Sequence, residues 1–382
     1  MEYVKLEEIC TIVSGGTPSR SKPNYWNNGN IPWIKIKDMK SKYIDSAEEF
    51  ITEEGLNNSS TKMLKRDTIL YSIFATLGEV GILKIDACTN QAIAGLSLKE
   101  DSNILKEYLY YYLKSKKKDV NNLGRGVAQN NINLSLLRKF KIPVIPLRQQ
   151  KKIIEVLDNV SSTINNYERE LALLDELVKA RFVEMFGTIY DKKFDMKTLP
   201  DIVSSDKNSI KRGPFGGALK KEDFLEDGYM VYEQRHAIHE DFEYAKYYVS
   251  PEKYESMIGF KVVPGDLIIS CSGTLGRIAE VPMGAKEGII NQALLKISLN
   301  KDIMNNQFFI YQFRCKEIQD MLFGISRGSG IANMPSMNEV KAFKFICPPL
   351  ELQNQFASFV EEIDKSRLLS NHSLFLIKSI IF

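Results

Sequence analysis

The most regular apolar pattern lies in the middle of the chain. Ile153, Leu157, Val160, Ile164, Tyr167, Leu171, Leu174 and Val178 recur at alternating steps of four and three, and Arg181 and Met185 keep the spacing. Residues at that period share one stripe of an α-helix, and a stripe sustained over several heptads predicts a helix paired with another helix. The segment starts after Pro146, tolerated at a helix start, and stops near Gly187, which favours a helix end. Roughly 39 residues at ~1.5 Å each predict a rod of about 58 Å. Its apolar stripe needs a partner in water. After Pro348-Pro349, Phe356, Val360, Ile363, Leu369, Leu376 and Ile380 mark a second, less regular amphipathic helix that can supply it. The competing reading, one core helix inside a single large domain, fits the length and the sustained heptads less well.

Ahead of each helix the chain repeats itself, and repeats define architecture. "TLGEVGILKIDACTNQA" at 76–92 returns as "TLGRIAEVPMGAKEGIINQA" at 274–293. Asp67 and Asp266 each turn the chain into a β-branched run that reads as a strand after a turn. The Asn-Gln-Ala phrase leads to another apolar strand in each half, then to an aromatic-rich helix ("KEYLYYYLKSK", "NQFFIYQFRCKEI") and a polar loop ("NNLGRGVAQNNI", "ISRGSGIANMPS"). The halves close on "FKIPVIPLRQQ" and "FKFICPPLELQ". The expected fold is mixed α/β (α+β). Two similar domains, 1–146 and 188–349, are each followed by a long helix, 147–187 and 350–382. If the helices pair antiparallel, the two halves are related by a pseudo-twofold axis.

Composition adds little to this picture. The hydrophobic share is 44% and the charged share 26%, ordinary for a globular protein. No run of about 18 apolar residues predicts a membrane span, and the acidic start "MEYVKLEEIC" does not read as a signal peptide. The five cysteines, Cys10, Cys88, Cys271, Cys315 and Cys347, are scattered without a CxxC pair. That spacing predicts a reducing cytoplasmic setting with neither zinc nor disulfides. Net charge is +3, but it is uneven. Residues 1–146 carry +5 (21 basic, 16 acidic), 188–349 carry 0, and each helical segment carries −1. Charge permits nucleic-acid binding by the first block and is silent on the second.

Catalytic signatures are missing. No Gly-x-Gly-x-x-Gly follows a strand, and there is no Walker A loop and no His-Glu-x-x-His. Neither the Asn-Pro-Pro-Tyr-like nor the Pro-Cys signature of DNA methyltransferases is found. Pro200-Asp201 and Glu339/Lys341 lie too far apart for a nuclease site. His236 and His239, at i and i+3, could reach one metal on a helix, but no third ligand is near, and a polar loop with His236 close to a ligand is preferred. Asp67 and Asp266 read as turn residues rather than catalytic acids. Two similar globules, long helices and no catalytic set describe a binding adaptor. Two readers on a spacer suit two sites on a rigid lattice such as duplex DNA, where half-site spacing mirrors protein symmetry.

At this point the chain resembles the specificity subunit of type I restriction-modification systems, over essentially its whole length. The resemblance rests on the opening "VKLEEICTIVSGGTPSRSKPNYWNNGNIPWIKIKDM", on the "TLG…NQA" phrase in both halves, and on "IPLRQQKKIIEVLDNV" and "PPLELQNQFASFVEEID" leading into the long helices. It implies that each globule is a target recognition domain reading one half of a bipartite DNA sequence. The helices would fix the gap and dock two methylation subunits, which hold S-adenosylmethionine and carry the adenine-N6 chemistry. Restriction subunits, with ATP and Mg, would join them, and this chain would have no activity of its own. Two other classes stay open: a scaffold or antirestriction decoy that binds methylation subunits without discriminating DNA, and a self-contained methyltransferase.

Base readout needs forked donors or donor–acceptor pairs, and phosphate contacts need cations and hydroxyls. The candidates are Arg20, Lys22, Lys35, Lys37, Arg125, Gln129, Asn130 and Asn131 in the first half. In the second they are Lys211, Arg212, Lys220, Gln234, Arg235, His236, Arg277, Arg327 and Asn333. For each, the plain alternative is a solvated surface charge or a turn residue. "GRGVAQNN" and "SRGSGIAN" read as equivalent loops. Asn90, Gln91, Asn291 and Gln292 favour a shared structural role over base contact, and Trp26 and Trp33 favour packing over base stacking.

Overall fold

The computed structural model describes residues 2–124, 132–188, 191, 193–215, 217–324 and 334–381. It divides into two compact units, Met1–Asn165 and Asn166–Phe382. Both are mixed helix and sheet, and the chain carries two long helices, Leu147–Phe186 and Leu350–Ile381.

In the first unit, Glu2–Lys5 pairs antiparallel with Lys141–Val144 and ties the ends of the globule together. A five-stranded sheet runs in the order Cys10–Ser14, Ile93–Leu98, Ile69–Ser72, Val80–Leu83, Tyr43–Ile44. A smaller sheet has Ile31–Ile34 between Glu49–Ile51 and Cys88–Thr89, the latter pair parallel. All four residues of Ile69–Ser72 are fully buried. Successive side chains of a strand point to opposite faces, and here both faces are covered. Ile69 and Tyr71 enter a core with Leu109 and Leu113 of the helix Lys106–Ser115. Leu70 enters a core with Ile34 of the smaller sheet.

The second unit repeats this plan. Met196–Thr198 pairs antiparallel with Lys344–Ile346. One sheet runs Ile210–Arg212, Leu294–Ile297, Leu267–Ser270, Ile278–Glu280, and the other runs Tyr248–Val249, Tyr229–Tyr232, Gly288–Ile290, Lys261–Val262. Leu267 and Ile269 face a core with Phe309 and Phe313, while Ile268 faces another with Met230 and Tyr232.

The recurrent phrase has a local cause. The Ser72 hydroxyl donates to the Thr76 carbonyl and accepts from the Glu79 amide at 2.7 Å. The Ser270 hydroxyl does the same with Thr274 and the Arg277 amide, the latter at 3.0 Å. Gly78 (φ +79°) and Gly276 (φ +70°) close these turns in the left-handed region. The Asn-Gln-Ala end of the phrase joins the two sheets. The Asn90 amide donates to Ile34 O at 3.1 Å, and its Oδ1 accepts from the Ala92 amide at 3.1 Å. Asn291 repeats this with Tyr232 O at 2.9 Å and the Ala293 amide at 3.0 Å. The two asparagines thus have the structural role expected of them, while Gln91 and Gln292 stay exposed. Asp67 and Asp266 are turn residues: Asp67 has φ +70° and accepts Lys106 Nζ at 2.6 Å, and Asp266 accepts the Val263 amide at 2.9 Å.

Each long helix is pinned to its globule by one buried glutamine. Gln150 Nε2 donates to Asn103 O and Ile145 O, both at 2.8 Å, and Oε1 accepts the Leu105 amide at 2.8 Å. Gln353 Nε2 donates to Ile303 O at 3.0 Å and Pro348 O at 2.8 Å, and Oε1 accepts the Asn305 amide at 2.9 Å. Asp158, two turns further along the first helix, accepts from both Lys42 and Tyr111.

Inside the second unit the end of the first long helix pairs antiparallel with the second. Phe182 and Phe186 pack on Phe356 with centroids 5.4 and 5.6 Å apart. Arg367 bonds Asp175 at 2.5 Å, Ser370 bonds Glu170 at 3.1 Å, and Lys378 bonds Glu168 at 2.9 Å. Leu157, Val160, Ile164, Tyr167, Leu171 and Leu174 are half-buried, and Val178 is buried. Val360 and Ile363 pack at the edge of the Phe356 core.

Three seam positions are corrected. Ile153 is 37% exposed, because the helix start meets the globule through Gln150, Ile154 and Leu157, and Ile153 points to one side of that face. Leu369 and Leu376, 70% and 46% exposed, also lie off the seam. Arg367, Ser370 and Leu374 lie inward instead: Asp175 and Glu170 of the facing helix accept from the first two, and Leu374 is buried. In the last turns of the first helix the buried positions are Phe182 and Phe186, not Arg181 and Met185. No helix among the described residues is long and apolar enough to cross a membrane.

Three substitutions test this packing. Gln353→Leu strands the Asn305 amide and two carbonyls and should cost about 2–3 kcal/mol in urea unfolding. Phe356→Ala, fully buried among Phe182, Phe186, Phe308 and Tyr311, should cost about 3–5 kcal/mol. Ile153→Ala should cost under about 1 kcal/mol.

Candidate nucleic-acid interface

In both units several polar candidates lie near the Asn-Gln turn, where the chain passes from Cys88–Thr89 or Gly288–Ile290 into the neighbouring sheet. In the first unit, Gly15 presses on that turn so closely that a Cβ would lie 2.1 Å from Asn90 O. Thr17 then bonds the Gln91 amide oxygen. Trp33, buried, donates its indole N–H to Gly16 O at 3.0 Å. Trp26 meets Trp33 edge-on at 5.0 Å and donates to Ser19 O at 3.1 Å, so both indoles pack, as expected.

This framework carries the cations. The Arg20 guanidinium lies 3.6 Å from the Trp26 ring centroid. Arg20 and Lys35 both bond Glu49, which sits opposite Trp33 in the ladder. Lys37 bonds Glu48, and Lys22 donates to Tyr25 Oη at 2.9 Å. Partial burial pushes the Glu49 carboxyl up, but bonds from Lys35 and Arg20 outweigh it and hold the group below the ordinary carboxylate range. The bond from Lys37 lowers Glu48 in the same way.

In the second unit, a Cβ on Gly213 would lie 1.8 Å from Asn291 O. Arg212 stands just before it, its guanidinium 5.2 Å from the ring of Phe215, which is 64% exposed. Lys211 lies over the Phe260 ring at 4.8 Å. Gln234 and Arg235 open the short helix Gln234–His239 at the end of the strand Tyr229–Tyr232. Arg235 lies 3.9 Å from the Tyr244 ring centroid and 3.5 Å from Asp241. Arg212 Nε and Gln234 Oε1 are buried and have no hydrogen-bond partner among the described residues.

The structure therefore brings Arg20, Lys22, Lys35 and Lys37 into one neighbourhood, and Lys211, Arg212, Gln234 and Arg235 into another. Lys220 lies on a separate 3-10 turn, 3.3 Å from Glu222, and Arg277 is exposed after the Thr-Leu-Gly turn. His236 is corrected. It is 1% exposed; Nδ1 meets the backbone of Glu233, and Nε2 lies 2.8 Å from Tyr244 O. It holds the loop and cannot reach a ligand. Among the described residues no cluster of three or more His, Cys, Asp or Glu could hold a metal. Arg125, Gln129, Asn130, Asn131, Arg327 and Asn333, and with them both Gly-rich loops, lie outside the described residues. Sequence reasoning missed Glu48, Glu49, Asp241 and Tyr244. Their only signal is the charge alternation around them, since the pairing with Arg20 spans 29 positions.

With this geometry in place, the chain can be set beside known proteins. The family model described as the type I restriction modification DNA specificity domain matches residues 1–175 and again 192–377. The EcoR124I/EcoR124II type I restriction enzyme specificity subunit of Escherichia coli is 34% identical over 188 residues, 48% of this chain and 46% of that protein. The chain thus matches about half the length of that relative. The type I restriction enzyme MjaX specificity subunit of Methanocaldococcus jannaschii is 23% identical over 95% of this chain and 86% of its own length. The crystal structure of the type I restriction-modification system S subunit from M. genitalium shares the fold, with a TM-score of 0.55 at 16% identity, covering 100% of this chain and 93% of that one.

The Glu49 contacts have a signed pH dependence. A carboxyl with a depressed folded-state pKa stabilises the fold above its unfolded value, near 4.3, and loses that contribution as pH falls through the folded value. Glu49→Gln should therefore be less stable than the parent at pH 7, with the gap in urea midpoints closing towards pH 3.

Proposed function

The chain belongs to the type I restriction-modification DNA specificity family, and on that premise we propose that it is the sequence-specificity subunit of a type I restriction-modification complex. Residues 1–146 and 188–349 are its two target recognition domains, each reading one half of a bipartite duplex site. Residues 147–187 and 350–382 are spacer helices that set the gap and dock two methylation subunits. The observation that carries this reading is the doubled construction around the Asn-Gln turn. Each unit builds the same scaffold, through Gly15 or Gly213 and Asn90 or Asn291, and surrounds it with different side chains. One scaffold with two sets of polar groups is what a reader of two different half-sites requires.

The chemistry divides by residue type. Lys22, Lys35, Lys37, Lys211 and Lys220 supply charge for phosphates, which positions the duplex without reading it. Arg20, Arg212, Gln234, Arg235 and Arg277 carry the donors and acceptors that discriminate base edges. Arg125, Gln129, Asn130, Asn131, Arg327 and Asn333 add the same chemistry from the two Gly-rich loops. Docking on the helices is supported by large apolar side chains left exposed there: Leu173 and Leu177 on the first, Leu368, Leu369, Phe375 and Leu376 on the second. The chain is non-catalytic. S-adenosylmethionine belongs to the methylation subunits, and ATP with Mg to the restriction subunits. The complex works in the cytoplasm, beside the DNA it modifies.

Base-resolved mapping of N6-methyladenine in a host expressing this chain with its methylation subunits tests the reading. A single bipartite motif with a fixed gap is expected, and exchanging residues 188–349 for those of another family member should change one half-site only. Binding should weaken steeply with salt. An assembled complex that methylates no defined motif would leave the scaffold or decoy reading in place.

A further inference from the structure

Among the described residues, two arginines lie within 4 Å of an aromatic ring centroid, one in each unit: Arg20 on Trp26 at 3.6 Å and Arg235 on Tyr244 at 3.9 Å. The next, Arg212 and Arg181, lie at 5.2 and 5.9 Å. Both close arginines also have a carboxylate at one edge. Arg20 bonds Glu49 through one terminal nitrogen, and the same nitrogen of Arg235 lies 3.5 Å from Asp241. Both remain about half exposed, with side-chain accessibilities of 54% and 48%.

The supports are themselves fixed. Trp26 rests on buried Trp33, and Lys35 bonds the second oxygen of Glu49. In the second unit the Tyr244 amide donates to Asp241 Oδ1 at 3.2 Å, and buried His236 holds Tyr244 O at 2.8 Å. One short segment thus supplies both the ring and the carboxylate. The two arrangements come from different loops, since Arg20 follows the strand Cys10–Ser14 and Arg235 follows Tyr229–Tyr232. The same geometry reached from two sequences indicates a shared task.

An unrestrained arginine loses side-chain entropy when it binds, and a guanidinium already resting over a ring and held at one edge loses less. Its remaining N–H donors stay available, since both side chains are about half exposed. The major-groove edge of guanine, with O6 and N7 side by side, is the base edge that such a planar fork fits bidentately. A phosphate contact does not require such restraint, because a flexible lysine can meet it as a point charge.

We propose that Arg20 and Arg235 are guanine-reading residues, one for each half-site, with Trp26 and Glu49, and Tyr244 and Asp241, as their positioning residues. This rests on the specificity-subunit reading above and sharpens it to one G·C pair per reader. Lys35 has a part in the first site: by sharing Glu49 it offsets the carboxylate charge that would otherwise repel the DNA backbone.

The test uses the full chain assembled with its methylation subunits. The wild-type motif is mapped first, followed by Arg20→Lys and Arg235→Lys, which keep the charge. Each variant should relax one G·C position, in different half-sites, with discrimination there falling about tenfold or more and the other positions unchanged. In binding assays, 7-deazaguanine at that position removes N7 and should weaken the wild type but not the matching lysine variant. That comparison also decides the case of a variant that assembles yet methylates nowhere: loss of the 7-deazaguanine penalty supports the proposal, and its retention overturns it. Glu49→Gln and Asp241→Asn should lower discrimination at the same positions by less. An unchanged motif in both lysine variants, or a half-site without a G·C pair, overturns the proposal while the specificity role stands. No bipartite motif from the wild type would overturn that role and this inference together.

Discussion

One backbone crossing organises the polar face of each unit. The chain leaves one sheet after Cys88–Thr89 or Gly288–Ile290, turns through Asn-Gln, and enters the other. A buried backbone that changes sheets must satisfy its polar groups. The asparagine does so by sending its amide N–H back to the neighbouring strand and using its own Oδ1 to accept from two residues on. The glycine opposite, Gly15 or Gly213, is obligatory because a Cβ would enter the space of the asparagine carbonyl. With that crossing fixed, the loop after Cys10–Ser14 or Ile210–Arg212 and the turn after Ile31–Ile34 or Tyr229–Tyr232 both adjoin it, and most of the candidate cations stand on them.

The same economy governs the long helices. Gln150 and Gln353 each donate two hydrogen bonds and accept one in a buried site, tying the helix start to the loop before the aromatic helix. A buried amide so placed fixes orientation as well as position, because rotating the helix would leave several groups unpaired at once. Beyond the anchor, the helix pair in the second unit is held by phenylalanines near the globule and by ion pairs further along. Exposed pairs of that kind contribute little stability. They select register, which is why leucines that look like seam positions are left outside.

The two units differ in how their polar groups are satisfied. In the first, cations and acids are paired before any ligand arrives, and Thr17 occupies the Gln91 amide oxygen. In the second, Phe215 stands exposed in the corresponding loop, and Arg212 Nε and Gln234 Oε1 lack partners among the described residues. A face with paired groups exchanges contacts on binding any ligand, whereas one with unpaired buried groups gains them. Thr89 Oγ1 beside Gly15 also lacks a partner among the described residues, so the contrast between the faces lies in their long polar side chains.

Much of the fold was legible in the residues alone. The doubled Thr-Leu-Gly and Asn-Gln-Ala phrases, the long helix ending near Gly187 and the strands after Asp67 and Asp266 rest on local rules. Helical period, turn chemistry and strand alternation act over a few positions, so the chain states them directly. The candidate site was legible only as a set of residue types. That Arg20 lies on Trp26 and bonds Glu49, that His236 is a buried brace for Tyr244, and that Ile153 yields its place to Ile154 all depend on side chains meeting across folds of the chain. The amino-acid order by itself determined the repeat, the helices and the family. The tertiary structure decided which cations are paired, which polar groups stay open and which apolar residues face outward, because those outcomes are set by burial and long-range contact, which no local pattern encodes.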